Sequence, residues 1–246
     1  MSSDILEKLK DDANYYGKFG RQFLSNSDIG TLLNDPRQFG KSRPDSKPLL
    51  EGRYFHTALL EPQKLKDFEL VDCSTRNTKV YKDALEASGQ EMLMLQSEAD
   101  EILSLSQSMK HNLRFFESIY APGNEYEVPG IQQIKGLTWK GKADIIMHSE
   151  NMLIDIKTSG RLDEFKWSAR RYNYDSQCYI YQMIFGKPLV FYVIEKGTHK
   201  LGIFNASEDF LRGGEQKVEQ AVEVYNRFFS ENADEAVQNY YIEEIL

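Results

Sequence analysis

Two cysteines in 246 residues, Cys73 and Cys178, do not make the clustered ligand set that structural zinc or iron–sulfur sites need. No apolar run reaches the ~18 residues of a membrane span, and no positively headed segment leads into an apolar stretch. The expectation is a cytoplasmic protein with both thiols reduced and no membrane partner. Repeats and low-complexity tracts are missing too. Positive charge is in deficit: 30 Lys and Arg against 38 Asp and Glu give a net charge of −8, with a pI near 5.2. That balance argues against indiscriminate adhesion to polyanions, although local basic patches and acids gathered around a metal are compatible with it. A hydrophobic content of 41% over this length suffices for one sizeable core and does not require a second domain.

What is present is a polar cluster on an apolar scaffold. Leu137–Met147, the polar break His148-Ser149-Glu150-Asn151, and Met152–Thr158 predict two short strands joined by a turn. A period of two places Asp155 and Lys157 on one face and Ile154 and Ile156 on the other, while Lys142 and Asp144 line one face of the preceding strand. Asp144, Asp155 and the carbonyl of Ile156 are suitable oxygen ligands for a hard cation such as Mg²⁺ or Mn²⁺. Lys157 is placed to orient or activate an attacking water and to offset phosphate charge. On spacing alone, a solvated surface hairpin accounts for the same residues.

His56 lies in a helix expected to stop near Pro62, where its imidazole either completes a metal shell or packs among Phe55, Leu59 and Leu60. In Glu125-Tyr126-Glu127-Val128-Pro129, a predicted strand before the hairpin, Glu127 is either a metal-site acid or solvated, as Glu125 is on the same face. Gln177 and Tyr181 are four residues apart on a predicted helix, with Tyr174 three residues before Gln177. That face either orients Lys157 or meets a nucleic-acid backbone, whereas the neighbouring aromatics default to core packing. Ser27 is a site-lining or helix-cap residue. Arg37, Lys41, Arg43 and Lys47 occupy a predicted loop from Asp35 to Pro48, which is either a phosphate-contacting segment or a charged connector. Lys166, Arg170 and Arg171 form a second basic patch beside the hairpin.

Elsewhere, Ser3–Asn14 predicts a short polar helix, and Tyr81–Ser118 one long helix or two joined near Ser104–Ser108. Leu162–Trp167 predicts a connector or short helix, and Arg170–Ile184 a longer helix. Pro188–Glu195 and His199–Phe204 predict strands, Phe210–Phe229 and Glu235–Ile245 C-terminal helices. The order implies an α/β fold: a mixed central sheet with helices on its faces, in one domain over 1–246 with a core at about 120–205.

The blocks Phe23–Phe39, Gly52–Pro62, Asp144 with Asp155-Ile156-Lys157-Thr158, and Tyr174–Tyr181 together resemble the PD-(D/E)xK nuclease superfamily. Within it, the chain is similar to the phage exonuclease VIII-like group related to RecB-type nuclease domains. The resemblance spans about residues 23–62 and 127–205 in block order. It departs where Ala143 precedes the first core acid in place of the Pro many relatives carry, and Val71–Ser118 matches nothing.

The resemblance implies a restriction-endonuclease-like fold with helical N- and C-terminal additions. It makes His56, Asp144 and Asp155 metal ligands for one or two Mg²⁺ or Mn²⁺ ions, Lys157 the catalytic lysine, and Gln177 and Tyr181 site-shaping residues. The implied activity is 5′-to-3′ resection of linear duplex DNA in recombination or repair, with a homo-oligomeric ring and a single-strand annealing protein as partners. The same core supports endonucleases, and a noncatalytic DNA-binding recombination scaffold is the reading from a different class.

Overall fold

The computed structural model describes residues 3–42, 44–233 and 235–242. In chain order these hold α1 (Ser3–Leu9), α2 (Asp12–Tyr16), α3 (Asn26–Asn34), α4 (Lys47–Leu60), β1 (Leu70–Val71), α5 (Lys79–Ser88), β2 (Met94–Leu95), α6 (Gln96–His111) and α7 (Leu113–Ile119). Then come β3 (Glu125–Ile134), β4 (Leu137–Met147), β5 (Met152–Ser159), α8 (Phe165–Arg171), α9 (Tyr174–Phe185), β6 (Leu189–Glu195), β7 (Leu201–Asn205) and α10 (Glu208–Phe228). Among the described residues no helix is long and apolar enough to cross a membrane.

The main sheet runs β3-β4-β5-β6-β7 and is antiparallel except between β5 and β6, which α8 and α9 connect. This is the mixed α/β arrangement expected of a restriction-endonuclease-like core. Alternation on β5 sends Ile154 and Ile156, both 0% exposed, to a core shared with Phe55, Ile102 and Met109 from α4 and α6. Leu153 turns to the opposite core, with Trp139, Cys178 and Ile180 under α9 and Val218 and Ala221 under α10. Pro129, without an N–H, is tolerated because β3 is an edge strand. One turn before the second hairpin strand, Lys135 and Gly136 both take positive φ (51° and 84°), as a two-residue hairpin twist requires.

Several predicted boundaries move. The N-terminal helix is two, split after Leu9, with the Asp11 side chain capping α2. The expected break near Ser104–Ser108 is inside α6; the chain breaks instead at Gly89, left-handed at φ 65°, and at Asn112, whose side chain caps α7. The predicted loop to Pro48 ends at Ser46, because Pro48 occupies the first turn of α4, where its missing N–H has no partner to lose. Arg170 and Arg171 end α8 rather than begin α9, the two being separated by Asn173 at φ 59°. In place of a helix from Glu235 there is a 3-10 turn at Val237–Asn239, and Ile245 lies outside the described residues.

The segment around α5 is pinned by charge. Arg76 donates to both oxygens of Glu98 at 2.6 and 2.7 Å and to the Leu93 carbonyl, while the Leu95 N–H and Lys47 also reach Glu98. Burial would raise the Glu98 carboxyl, but these partners hold it down at about 2 against an ordinary 4.5. A depressed carboxylate stabilises the fold fully above its unfolded value and loses that contribution as pH falls through the folded one. The contribution is on the order of 3 kcal/mol. Glu98→Gln is therefore expected to lower the thermal midpoint at about pH 7, and the gap from the parent to close by about pH 2. A gap that is unchanged by acid in paired melting curves rules the linkage out.

Candidate active site

The site forms where β4 and β5 part. Their pairing covers only Ile145↔Ile154, Ile146↔Leu153 and Met147↔Met152, so further along β5 the Ile156 N–H has no partner on β4. The Asp144 side chain takes its place, Oδ2 accepting that N–H at 2.8 Å. Face alternation also slips here: Ala143 packs under α9, yet Ile145 packs on the α4 and α6 side. Opposite Asp144 in the register is Glu127, held at φ 51°. A left-handed Glu in mid-strand is strained, and such strain gathers at functional positions.

α4 brings in the third group. His56 Nδ1 is 3.3 Å from Asp144 Oδ2, and one ligand atom from each of His56, Glu127 and Asp144 lies within 4.8 Å of the others. Burial opposes charge on the imidazole, but Asp144 outweighs it and raises His56 to about 9. Burial would likewise raise Asp144, yet His56, Lys157 and the Ile156 N–H together pull it below the ordinary range. Burial, then repulsion from Asp144, push Glu127 up to about 7. Two acids and one imidazole thus crowd a space that could hold a cation.

Asp155 sits beside this triad. It is 2% exposed, and Gln177 from α9 donates to its Oδ1 at 2.5 Å. Oδ2 is paired with the Lys157 ammonium. Burial and the Asp144 charge keep Asp155 above its ordinary value, partly offset by Lys157. Lys157, which burial would discharge, is held above its ordinary value by Asp155, Tyr174 and Asp144. Its ammonium lies 5.1 Å from the centre of the Tyr174 ring.

The predicted residues sort by place. His56, Glu127, Asp144, Asp155, Lys157 and Gln177 converge, with Gln177 holding Asp155 rather than Lys157. The Tyr181 hydroxyl donates to the Lys142 carbonyl at 2.9 Å and accepts its N–H, clamping β4 from behind instead of meeting a ligand. The Ile156 side chain is core. The cap of α3 is Ser25, in a reciprocal box with Asp28, and the Ser27 hydroxyl meets that of Ser25. Glu125 departs from Glu127 to pair with His148.

Arg37 is tied to Asp35 at 2.7 Å, Lys41 lines a separate surface hollow beside Asn34 and Pro44, and Arg43 lies outside the described residues. Lys47 is engaged by Glu51 and Glu98. Lys166, Arg170 and Arg171 are exposed on α8. Sequence reasoning missed the contacts α2 makes with β4: Asp12 pairs with Lys142, and the Tyr15 and Tyr16 rings lie 4.8 and 5.3 Å from the Lys142 ammonium. No local spacing relates residues so far apart in the chain.

Carboxylate oxygens with one imidazole are the donor chemistry of Mg²⁺ or Mn²⁺, and the buried Asp155 Oδ2, whose partner is the Lys157 ammonium, is a further oxygen of that kind. The triad has Asp155 as its neighbour rather than its member, so Asp144 is the acid common to both groups.

Residues 34–237 match a family described as a PDDEXK-like domain of unknown function (DUF3799). A crystal structure from Eubacterium rectale, provisionally described as an exonuclease, is similar with a TM-score of 0.64 and 16% identity, covering 96% of this chain and 95% of that one. A phage-related exonuclease from Haemophilus somnus 129PT is similar at a TM-score of 0.38 and 12% identity, covering 83% and 94%. At these identities the first likeness is one of fold. No curated protein matches the chain.

Proposed function

The chain belongs to the PDDEXK-like domain family, and from that premise we propose that it is a divalent-metal-dependent deoxyribonuclease that resects linear duplex DNA from its ends, 5′ to 3′. The observation that carries the reading is the meeting of Asp144, Asp155 and Lys157 at the parting of β4 and β5, with His56 and Glu127 completing the polar wall. Asp144 and Asp155, helped by His56 and Glu127, would hold Mg²⁺ or Mn²⁺. When bound, such a cation neutralises phosphate charge and lowers the pKa of a coordinated water.

The chain's own residues do the rest. Gln177 fixes one oxygen of Asp155, and Lys157 meets the other. The Ile156 N–H fixes one oxygen of Asp144. Lys157, kept charged against burial by the acids around it, donates hydrogen bonds to the scissile phosphate and offsets the charge that develops there. That role is electrostatic: an ammonium held this firmly is a poor proton acceptor.

The test compares end-labelled linear duplex DNA with a covalently closed circle in Mg²⁺ or Mn²⁺. Loss of the linear substrate from its ends, early release of a 5′ label, an intact circle, and no cleavage in chelator are the expected results. Equal cutting of the circle shifts the assignment to an endonuclease. Inertness on both substrates with either metal removes the nuclease reading.

A further inference from the structure

α8 carries a second surface that the site chemistry does not use. Trp167 and Tyr172 are 68% and 56% exposed, although Trp and Tyr usually bury most of their area. Each has a cation on its ring: Lys166 lies 4.9 Å from the Trp167 centroid and Arg171 5.1 Å from that of Tyr172. Arg170 lies 5.1 Å from Phe210, at a cavity of about 290 Å³ that Lys166, Trp167 and Phe204 also line.

On a chain of net charge −8, several exposed arginines are held by carboxylates: Arg37 by Asp35, Arg53 by Asp45, and Arg161 by Asp163 and Glu164. Among the described residues, no carboxylate pairs with Lys166, Arg170 or Arg171. Their charge is unspent, and it is interleaved with exposed rings.

The patch is continuous with the candidate site. The Tyr172 ring is 5.9 Å from the Tyr174 ring, which in turn faces the Lys157 ammonium. Phosphates would satisfy the three cations. The rings add a requirement, because a base can stack on Trp167 or Tyr172 only when it is unpaired. A duplex offers phosphates but no free base faces, so cations alone would serve it.

We propose that α8 is a stacking platform for single-stranded DNA beside the metal site, with Trp167 and Tyr172 taking bases and Lys166, Arg170 and Arg171 taking phosphates. This names a substrate form for the nuclease proposed above and rests on that reading for its location, but its binding test does not depend on cleavage.

The chain has two tryptophans, and Trp139 is 0% exposed, so quenching by added DNA reports Trp167. In chelator, oligothymidylate of about 16 nucleotides is expected to quench the emission, less so as salt rises. Trp167→Ala should weaken binding of the oligonucleotide about tenfold or more, measured by anisotropy of a labelled strand, and Trp167→Phe should restore most of it. Binding of a blunt duplex with hairpin-closed ends should be unchanged. Quenching and ring dependence without cleavage in any metal would leave the platform standing and sink the nuclease. Normal cleavage with oligonucleotide binding indifferent to Trp167→Ala would sink the platform alone.

Discussion

Asp155→Asn is expected to cut cleavage of linear duplex DNA at least about a thousandfold, equivalent to about 4 kcal/mol, while the protein melts close to the parent. The two halves of this result have separate causes. Asp155 is 2% exposed, and burial together with the Asp144 charge makes its anionic form unfavourable. Asn keeps the volume and still offers Gln177 an acceptor at the position of Oδ1. What disappears is the charge on Oδ2, the oxygen paired with Lys157 and the one proposed to meet a cation. Lys157 loses its main counter-charge but retains Asp144 among its partners. Removing a strained functional charge is the kind of change that leaves stability intact while erasing activity. Single-turnover cleavage with saturating metal, read beside a melting curve, checks both halves. A variant that cuts at the parent's rate refutes the role of Asp155, whereas one that fails to fold refutes the account of its burial.

Much of that arrangement was legible in the residues. The apolar pair Ile154 and Ile156 alternating with Asp155 and Lys157 fixes which face of β5 is core, and the packing under α4 and α6 follows it. His56 was readable as a helix residue, and Gln177 as a neighbour of Tyr181 one turn on. Three features were not legible, each for a physical reason. Glu127 was equivocal against Glu125 because alternation puts both on one face; its φ of 51° separates them, and no propensity for a left-handed Glu exists to predict it.

The basic residues Arg37, Arg170 and Arg171 look alike in sequence. Their difference lies in whether an acid pairs with them: Asp35 does so for the first, and among the described residues no carboxylate does so for the others. The division between the His56, Glu127 and Asp144 triad and the Asp155–Lys157 pair comes from the splaying of β4 from β5. A strand pairing that stops after three residues is set by packing across the whole sheet rather than by those three.

A large stability effect is expected at Gly214, and its neighbour supplies the control. α10 carries Gly213 and Gly214 in mid-helix, where Gly is worth about 1 kcal/mol less than Ala, so the pair needs a reason. A Cβ at Gly214 would lie 2.1 Å from the Asp175 carbonyl oxygen, 2.4 Å from its carbon and 2.8 Å from the Ser176 nitrogen. All three are backbone atoms of α9, so nothing can rotate away and the helices must separate.

At Gly213 the closest atom is the end of the flexible Arg170 side chain, at 3.0 Å. The signs therefore differ: Gly213→Ala should be neutral or stabilising by up to about 1 kcal/mol. Gly214→Ala should lose about 2 kcal/mol or more even after its gain in helix propensity, and Gly214→Val more again. The consequence reaches the chemistry, because α9 carries Gln177 and Tyr181, which hold Asp155 and the backbone of β4. Lys217, bonded to Asp175, the Arg170 carbonyl and Asn173, locks the same junction from α10. Denaturant unfolding of both alanine variants decides the point. Equal midpoints would mean that α9 and α10 have room to spare, and that the glycine at 214 is not what lets α9 sit close enough to brace the site.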